Sequence, residues 1–474
     1  MNMISKATRL NGSLARLTRS GAFAWFGLLL LPACSTDFLT DGVITITTGQ
    51  ESDAWTAEPA AKKLRIDLVQ STRTTLAEVP APVTQVSIGT DGPERVTASF
   101  DASGFDADGN VVMSGSTVPV QILSFNGARI TLFMGRSGGL SRAPEELVFA
   151  SRHPKVTVQY GNYLLISGGD DARADLDLYD MVRWRVAPVL RTDDNGVPTR
   201  ALPKVPESWA VAGSKLLLVD RQGPTWVDIW EGVQTVVTVP AGLDFADVVG
   251  GETIGAPNQP QYIVGATRTT GEPTNVVVRV DPDGSLHVLK LGTPRLAAAA
   301  TIVSGQLLVV GGADSGAGAE ISNAAGTAFS ELPFPADATQ GAALIAQDPT
   351  TALLVGGRDP ATDEIAGFRT MDLSCSEECS QVRIAKPVDF ARPRLFPLGK
   401  GQSLLVGEDP ETGQTHVFTF DTGVGHALTE FALRVPRSGA SAFMAPNGQV
   451  GVLGGDALAD GTPAKSVELF FPLP

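Results

Sequence analysis

The chain has 474 residues, 43% of them hydrophobic and 18% charged, with a formal net charge of −15. The hydrophobic share excludes wholesale disorder, and the acidic balance excludes a nucleic-acid binder, which needs cations against a run of phosphates. Four histidines and three cysteines leave little for histidine-based catalysis or a Cys/His metal site, while 51 Gly and 32 Pro point to many tight turns.

The first 20 residues carry Lys6, Arg9, Arg16 and Arg19 and no acid, and an apolar run follows from Ala22 to Leu31. A positive stretch before an apolar one is the layout of a secretory signal. The run is shorter than the about 20 residues needed to cross a ~30 Å hydrocarbon core. Leu31-Pro32-Ala33-Cys34 closes it and resembles the lipobox of bacterial lipoproteins. That resemblance implies cleavage before Cys34, acyl chains such as palmitate on its thiol and on the new amino terminus, and stable anchoring by lipid alone. Ser35 follows rather than Asp, which by resemblance to the enterobacterial sorting rule implies the outer membrane, on its periplasmic or surface face. The expected division is a signal over 1–33 and a lipidated tether over 34–42. Cleavage removes four cations and no acid, leaving the mature chain still more acidic.

Alternating apolar runs then occur at 43–47, 64–68, 83–88, 96–100, 111–114, 118–123 and 130–134. So many short strands predict a β-sandwich of immunoglobulin-like size over 43–140. It lacks the paired cysteines and Trp of antibody domains, so only the architecture is expected. The alternative assigns 111–115 to an extra blade of the repeat that follows.

From 145 to 474 a short apolar strand ending in Gly or a turn residue recurs. Its last positions are Gly168, Asp220, Gly265, Gly311, Gly356, Gly407 and Gly454, at intervals of 45–52 residues. That is the period of a propeller blade, so the chain reads as all-β with a seven-bladed ring, or eight with the alternative above. Gly-Gly pairs at 168, 311, 356 and 454 suit sharp turns with positive φ as the inner strand leaves the crowded centre. They are not phosphate loops, because no helix start or Lys-Ser/Thr pair follows. The units resemble degenerate kelch repeats, departing from them in the scarcity of the Tyr and Trp that usually follow the anchor, clear here only as Tyr179 and Trp184, with Trp226 and Trp230 in related roles. The seventh unit lacks an outer strand at its C-terminal end, and 146–150 is the expected substitute.

Little chemistry stands out. Cys375 and Cys379 are expected to form a hairpin disulfide in an oxidising envelope; zinc would need two further ligands. The acidic turns at 106–110, 193–196 and 281–284 lack the bidentate Glu of a calcium loop and read as hairpin turns. None of His153, His287, His416 and His426 sits in a catalytic motif, and 220–226 is only a loose match to the structural Asp-box of sialidases. No catalytic residue, metal or cofactor is expected. The leading expectation is a lipid-anchored binding scaffold for a protein or glycan partner, without enzymatic activity. The alternatives are a glycan-directed or other envelope enzyme with its site at the ring centre, or a structural part of an envelope assembly. Binding groups are expected on the loops after the seven anchors, at 170–173, 221–225, 267–274, 313–319, 358–364, 408–414 and 456–465, all on one face.

Overall fold

The computed structural model describes residues 42–88, 97–121, 129–149, 154–159, 162–168, 175–187, 201–256, 258–265, 271–384, 390–399, 401–421 and 427–473, with Arg152. Cys34, His153, His426 and the turn at 193–196 lie outside them.

The first sheet comprises β1 (Gly42–Thr47), β2 (Lys63–Val69), β3 (Arg73–Pro80), β4 (Gln85–Ile88), β5 (Thr97–Phe105), β6 (Val111–Ser116), β7 (Val120–Gln121) and β8 (Arg129–Arg136). β1 and β5 alternate buried and half-exposed residues along their length, the period that puts one face on a core. The eight strands form one sheet ordered β3-β2-β5-β6-β8-β1-β4, with β7 on β5. Its end strands β3 and β4 approach each other. The result is a nearly closed barrel around Ile44, Leu64, Ile66, Phe100 and Leu132, where two facing sheets were expected. Unbroken pairing explains the difference: β2, β5, β6 and β8 each hydrogen-bond a strand on both sides. Gly115 allows the tight curl, since a Cβ there would lie 2.3 Å from the Phe133 carbonyl oxygen. The 111–115 run is β6 of this sheet, so it adds no blade to the ring.

Seven four-stranded sheets follow, one per repeat. In each the anchor strand is the second strand and not the innermost one. Gln306–Val310, for example, lies between Ala299–Val303 and Ala319–Ser322. Sequence periodicity finds the most apolar strand, and the second strand is apolar because it is covered on both faces: Leu307, Leu308, Val309 and Val310 are all fully buried. The Gly-Gly turn after it has the expected positive φ. Gly312 stands at 70°, and a Cβ there would meet the Leu296 carbonyl oxygen at 2.3 Å.

Behind the glycines lies a socket filled differently from blade to blade. In the fourth blade the buried Arg295 donates to the Gly311, Gly318 and Ala317 carbonyls and to Glu320 at 3.0 Å. In the seventh, Arg437 does the same with Gly454, Ser466 and Glu468. The fifth reverses the charges: Arg369 stands on the third strand where Glu320 and Glu468 stand. It reaches Asp337 at 2.9 Å and the Gly356 carbonyl. The sixth has no charge in the socket. Phe390 and Phe418 take the two positions, with ring centroids 5.3 Å apart. The third uses Val248 and Val278, packed in one cluster. Ion pair and apolar pair are interchangeable here because a buried pair recovers little more than its own desolvation cost.

The ring closes with an N-terminal strand as the outer strand of the last blade. That strand is β9 (Gly139–Arg142), paired with Val467–Phe471, and not 146–150. The 146–150 run is the nearest apolar one, but the last blade takes the strand joined to β8 by the two-residue turn Ser137-Gly138, where Gly138 has φ 77°. Barrel and ring therefore share a core. Phe133 of β8 packs edge-on against Trp184 of the first blade and Phe471 of the seventh, at 5.5 and 5.3 Å. Tyr179 donates to the Glu145 carbonyl at 2.9 Å, and Arg142 pairs with Glu51 of the barrel at 2.9 Å.

Candidate functional site

The inner-strand residues paired with the residue just before each anchor position occupy one equivalent register position around the ring. Those residues are Lys155, Ser208, Glu252, Ala299, Ala343, Arg394 and Ser441, paired with Ser167, Val219, Val264, Val310, Val355, Val406 and Leu453. Four are small, which lets inner strands crowd together. Three are charged. Two of those, from the third and sixth blades, meet: Arg394 Nη1 lies 2.7 Å from Glu252 Oε1. The pair spans the central opening between blades on opposite sides of the ring. The Glu252 charge raises the Arg394 pKa, holding the guanidinium charged.

Two residues before this position the chain turns through positive φ, at Gly250 (77°), Ala297 (49°), Gly341 (72°), Arg392 (49°) and Gly439 (69°). Glycine adopts that conformation freely, whereas a side chain costs about 1–2 kcal/mol. Arg392 is the long side chain in this series. It is 58% exposed and lies 3.6 Å from Glu408. Non-glycine residues held in this region cluster at functional sites.

These groups line a cleft of about 400 Å³ at the mouth of the opening. Its walls come from four consecutive blades. Glu252 and Gly271 belong to the third, Ala297 to the fourth, Gln340 and Arg358 to the fifth, and Arg392 and Arg394 to the sixth. Gln340 and Arg358 exchange backbone hydrogen bonds of 2.9 and 2.8 Å, tying the loop after the anchor to the entry of the inner strand. Arg358 also pairs with Asp363. Phe390 closes the floor and is buried.

Of the loops named from the sequence, 358–364 reaches the cleft through Arg358, and Gly271 comes from 267–274. The loop at 170–173 lies outside the described residues, as does the first half of 267–274. The 221–225 segment is a tight hairpin turn in which Asp220 pairs with Gly223. Most of the cleft comes instead from segments entering the inner strands, which the sequence reading did not single out. A signal was present: a charged residue a near-constant distance before the anchor, where other units have Ala or Ser.

The remaining candidates fall elsewhere. Cys375 and Cys379 are joined by a disulfide with Cα atoms 5.8 Å apart, between the third and fourth strands of the fifth blade. Asp106 accepts from the Asp108 and Asn110 amides at 2.9 and 2.8 Å, and Asn110 holds its carboxyl below the usual range; its oxygens serve the turn. Asp281 pairs with Arg279 at 2.7 Å and His287 at 3.0 Å. Those three line a second cleft with Gly326 and Thr327, on the opposite face. His416 pairs with Glu430 at 2.7 Å. Trp226 is buried between the second and third blades, and Trp230 packs edge-on against Tyr163. Among the described residues no group of three or more His, Cys, Asp or Glu side chains is gathered to hold a metal.

No family model matches the chain, and no curated protein does. Among solved structures, one titled "Structure of YjhT" is similar over 56% of this chain and 95% of its own, at 12% identity and a TM-score of 0.37.

Proposed function

We propose that this protein is a lipid-anchored component of the bacterial cell envelope, at the outer membrane, whose kelch-type propeller is a binding scaffold for a protein or glycan partner. The anchor is the lipid on Cys34, for which the lipobox-like Leu31–Cys34 segment is the support. The barrel acts as a spacer. β1 enters it at Gly42, and its next residue, Val43, pairs with Arg129, several residues along β8 from the turn into the ring. The barrel also meets the ring on the face away from the anchor loops, where Asn447 donates to the Ser116 carbonyl at 2.9 Å. The carrying observation is the cleft at the mouth of the opening: four blades supply it, three arginines point to it, and one of them holds a strained backbone.

The enzyme reading has less support. Glu252 is the carboxylate that lines the cleft among the described residues, and it is engaged by Arg394, so the carboxyl pair that glycan hydrolysis needs is not assembled there. Two experiments test the proposal. Cys34→Ala should release the protein from washed membranes; retention would overturn the anchor. Reversing Arg392 and Arg394 to Glu should abolish binding of the soluble chain to isolated envelopes, while reversing exposed Arg221 on the same face should not. Equal binding by all three proteins would place the functional surface outside the cleft.

A further inference from the structure

We propose that the cleft recognises a small ligand through its carboxylate, and that Glu252 holds the ligand's place when the cleft is empty. The inference rests on the binding reading above and adds the chemical class of the ligand.

Three observations lead to it. Among the described residues, three guanidinium groups, Arg358, Arg392 and Arg394, line one cleft with a single lining carboxylate. The planar fork of Arg matches a carboxylate with two parallel hydrogen bonds. Second, the resident partner of Arg394 is itself a carboxylate, brought from the far side of the opening and held by a hydrogen bond of 2.7 Å. The side chains of that pair are 49% and 37% exposed. Ion pairs so open to water contribute little, so a ligand carboxylate can compete with Glu252 for Arg394. Third, the sixth blade keeps Arg at 392, where the third, fourth, fifth and seventh blades have Gly or Ala in the same backbone conformation. Its side chain is more than half exposed, so what this arginine brings to the cleft is a positioned charge.

Charge balance and shape narrow the ligand. Asp363, Glu408 and Glu252 offset the three arginines, so the cleft suits one or two carboxylates and not a polyanion. Among the described residues its one aromatic group, Phe390, is buried, so recognition is by charge and amide contacts. A cleft of this volume takes a ligand the size of a monosaccharide or an amino-acid side chain.

The test is titration at low salt by calorimetry or NMR with two acids and their neutral counterparts: galacturonate against galactose, and glutarate against glutaramide. Saturable binding of either acid, with no binding of its neutral counterpart, supports the proposal. Which acid binds tells a sugar acid from an acidic side chain. Arg394→Gln and Arg392→Gln should each weaken that binding about tenfold or more, Glu252→Gln should strengthen it, and Arg221→Gln should leave it unchanged. Melting curves check that each variant is folded. If neither the natural protein nor Glu252→Gln prefers an acid, or if Arg394→Gln binds it undiminished, the carboxylate inference is overturned. The scaffold proposal is judged separately by envelope binding.

Discussion

Two Arg–Glu pairs stand near the entries of inner strands and do opposite work. Arg437 and Glu468, in the seventh blade, have side chains with no exposure at all. Arg394 and Glu252, joining the sixth blade to the third, are roughly half open to water. Burial pulls the Arg437 pKa down against the attraction of Glu468, whereas at Arg394 the attraction of Glu252 prevails and raises it. The first pair bonds to carbonyls of its own blade and fastens the hairpin beside the seam where the ring closes. The second bonds directly across a water-filled opening, at 2.7 Å, between two blades that are each held by their own strand pairing. The same chemistry is structural where water is excluded and available to a ligand where water enters.

The comparison predicts graded losses. Arg437→Ala leaves Glu468 buried without its counter-charge and should cost about 3–5 kcal/mol, read by denaturant unfolding. Phe133→Ala, at the core shared by barrel and ring, should cost a similar ~3–5 kcal/mol. It should lower the melting of barrel and ring together; two separate transitions would show that the seam is not a single cooperative unit. Acid tests the reversed pair of the fifth blade. Burial raises the Asp337 pKa, but Arg369 and the hydrogen bonds from Thr339 and Gln381 outweigh it, and the net shift is downward from 3.8. A carboxyl whose folded pKa is depressed stabilises the protein above its unfolded value, and that contribution is lost as the pH falls through the folded value. Stability should therefore decline below about pH 3.8, and Asp337→Asn should flatten that decline. Reducing the Cys375–Cys379 bond should cost ~2 kcal/mol, as expected for so short a loop. Arg394→Ala should change stability by only about 0–1 kcal/mol. A loss equal to that of Arg437→Ala would erase the distinction between the two pairs.

The sequence alone carried the ring. The anchor strands are local, their period is regular, and their burial on both faces makes them apolar enough to be seen, so seven blades were legible. The turns at 106–110 and 281–284 were also legible as turns, because an Asp that bonds the amides two to four residues on acts within its own segment. The barrel was legible as strands but not as one curled sheet. Pairings such as β1 with β8, or β2 with β5, join residues far apart in the chain, and strand alternation reads the same in a sandwich and a barrel. Closure by β9 was hidden for a related reason: Gly139–Arg142 has only Leu140 as an aliphatic residue, and it becomes a strand by pairing with Val467–Phe471. The cleft was the least legible part. Glu252 and Arg394 are separated by more than a hundred positions and meet because the ring sets the third blade across from the sixth. Each charge can be read in the sequence; that they share an opening, half in water, is decided by the closed ring.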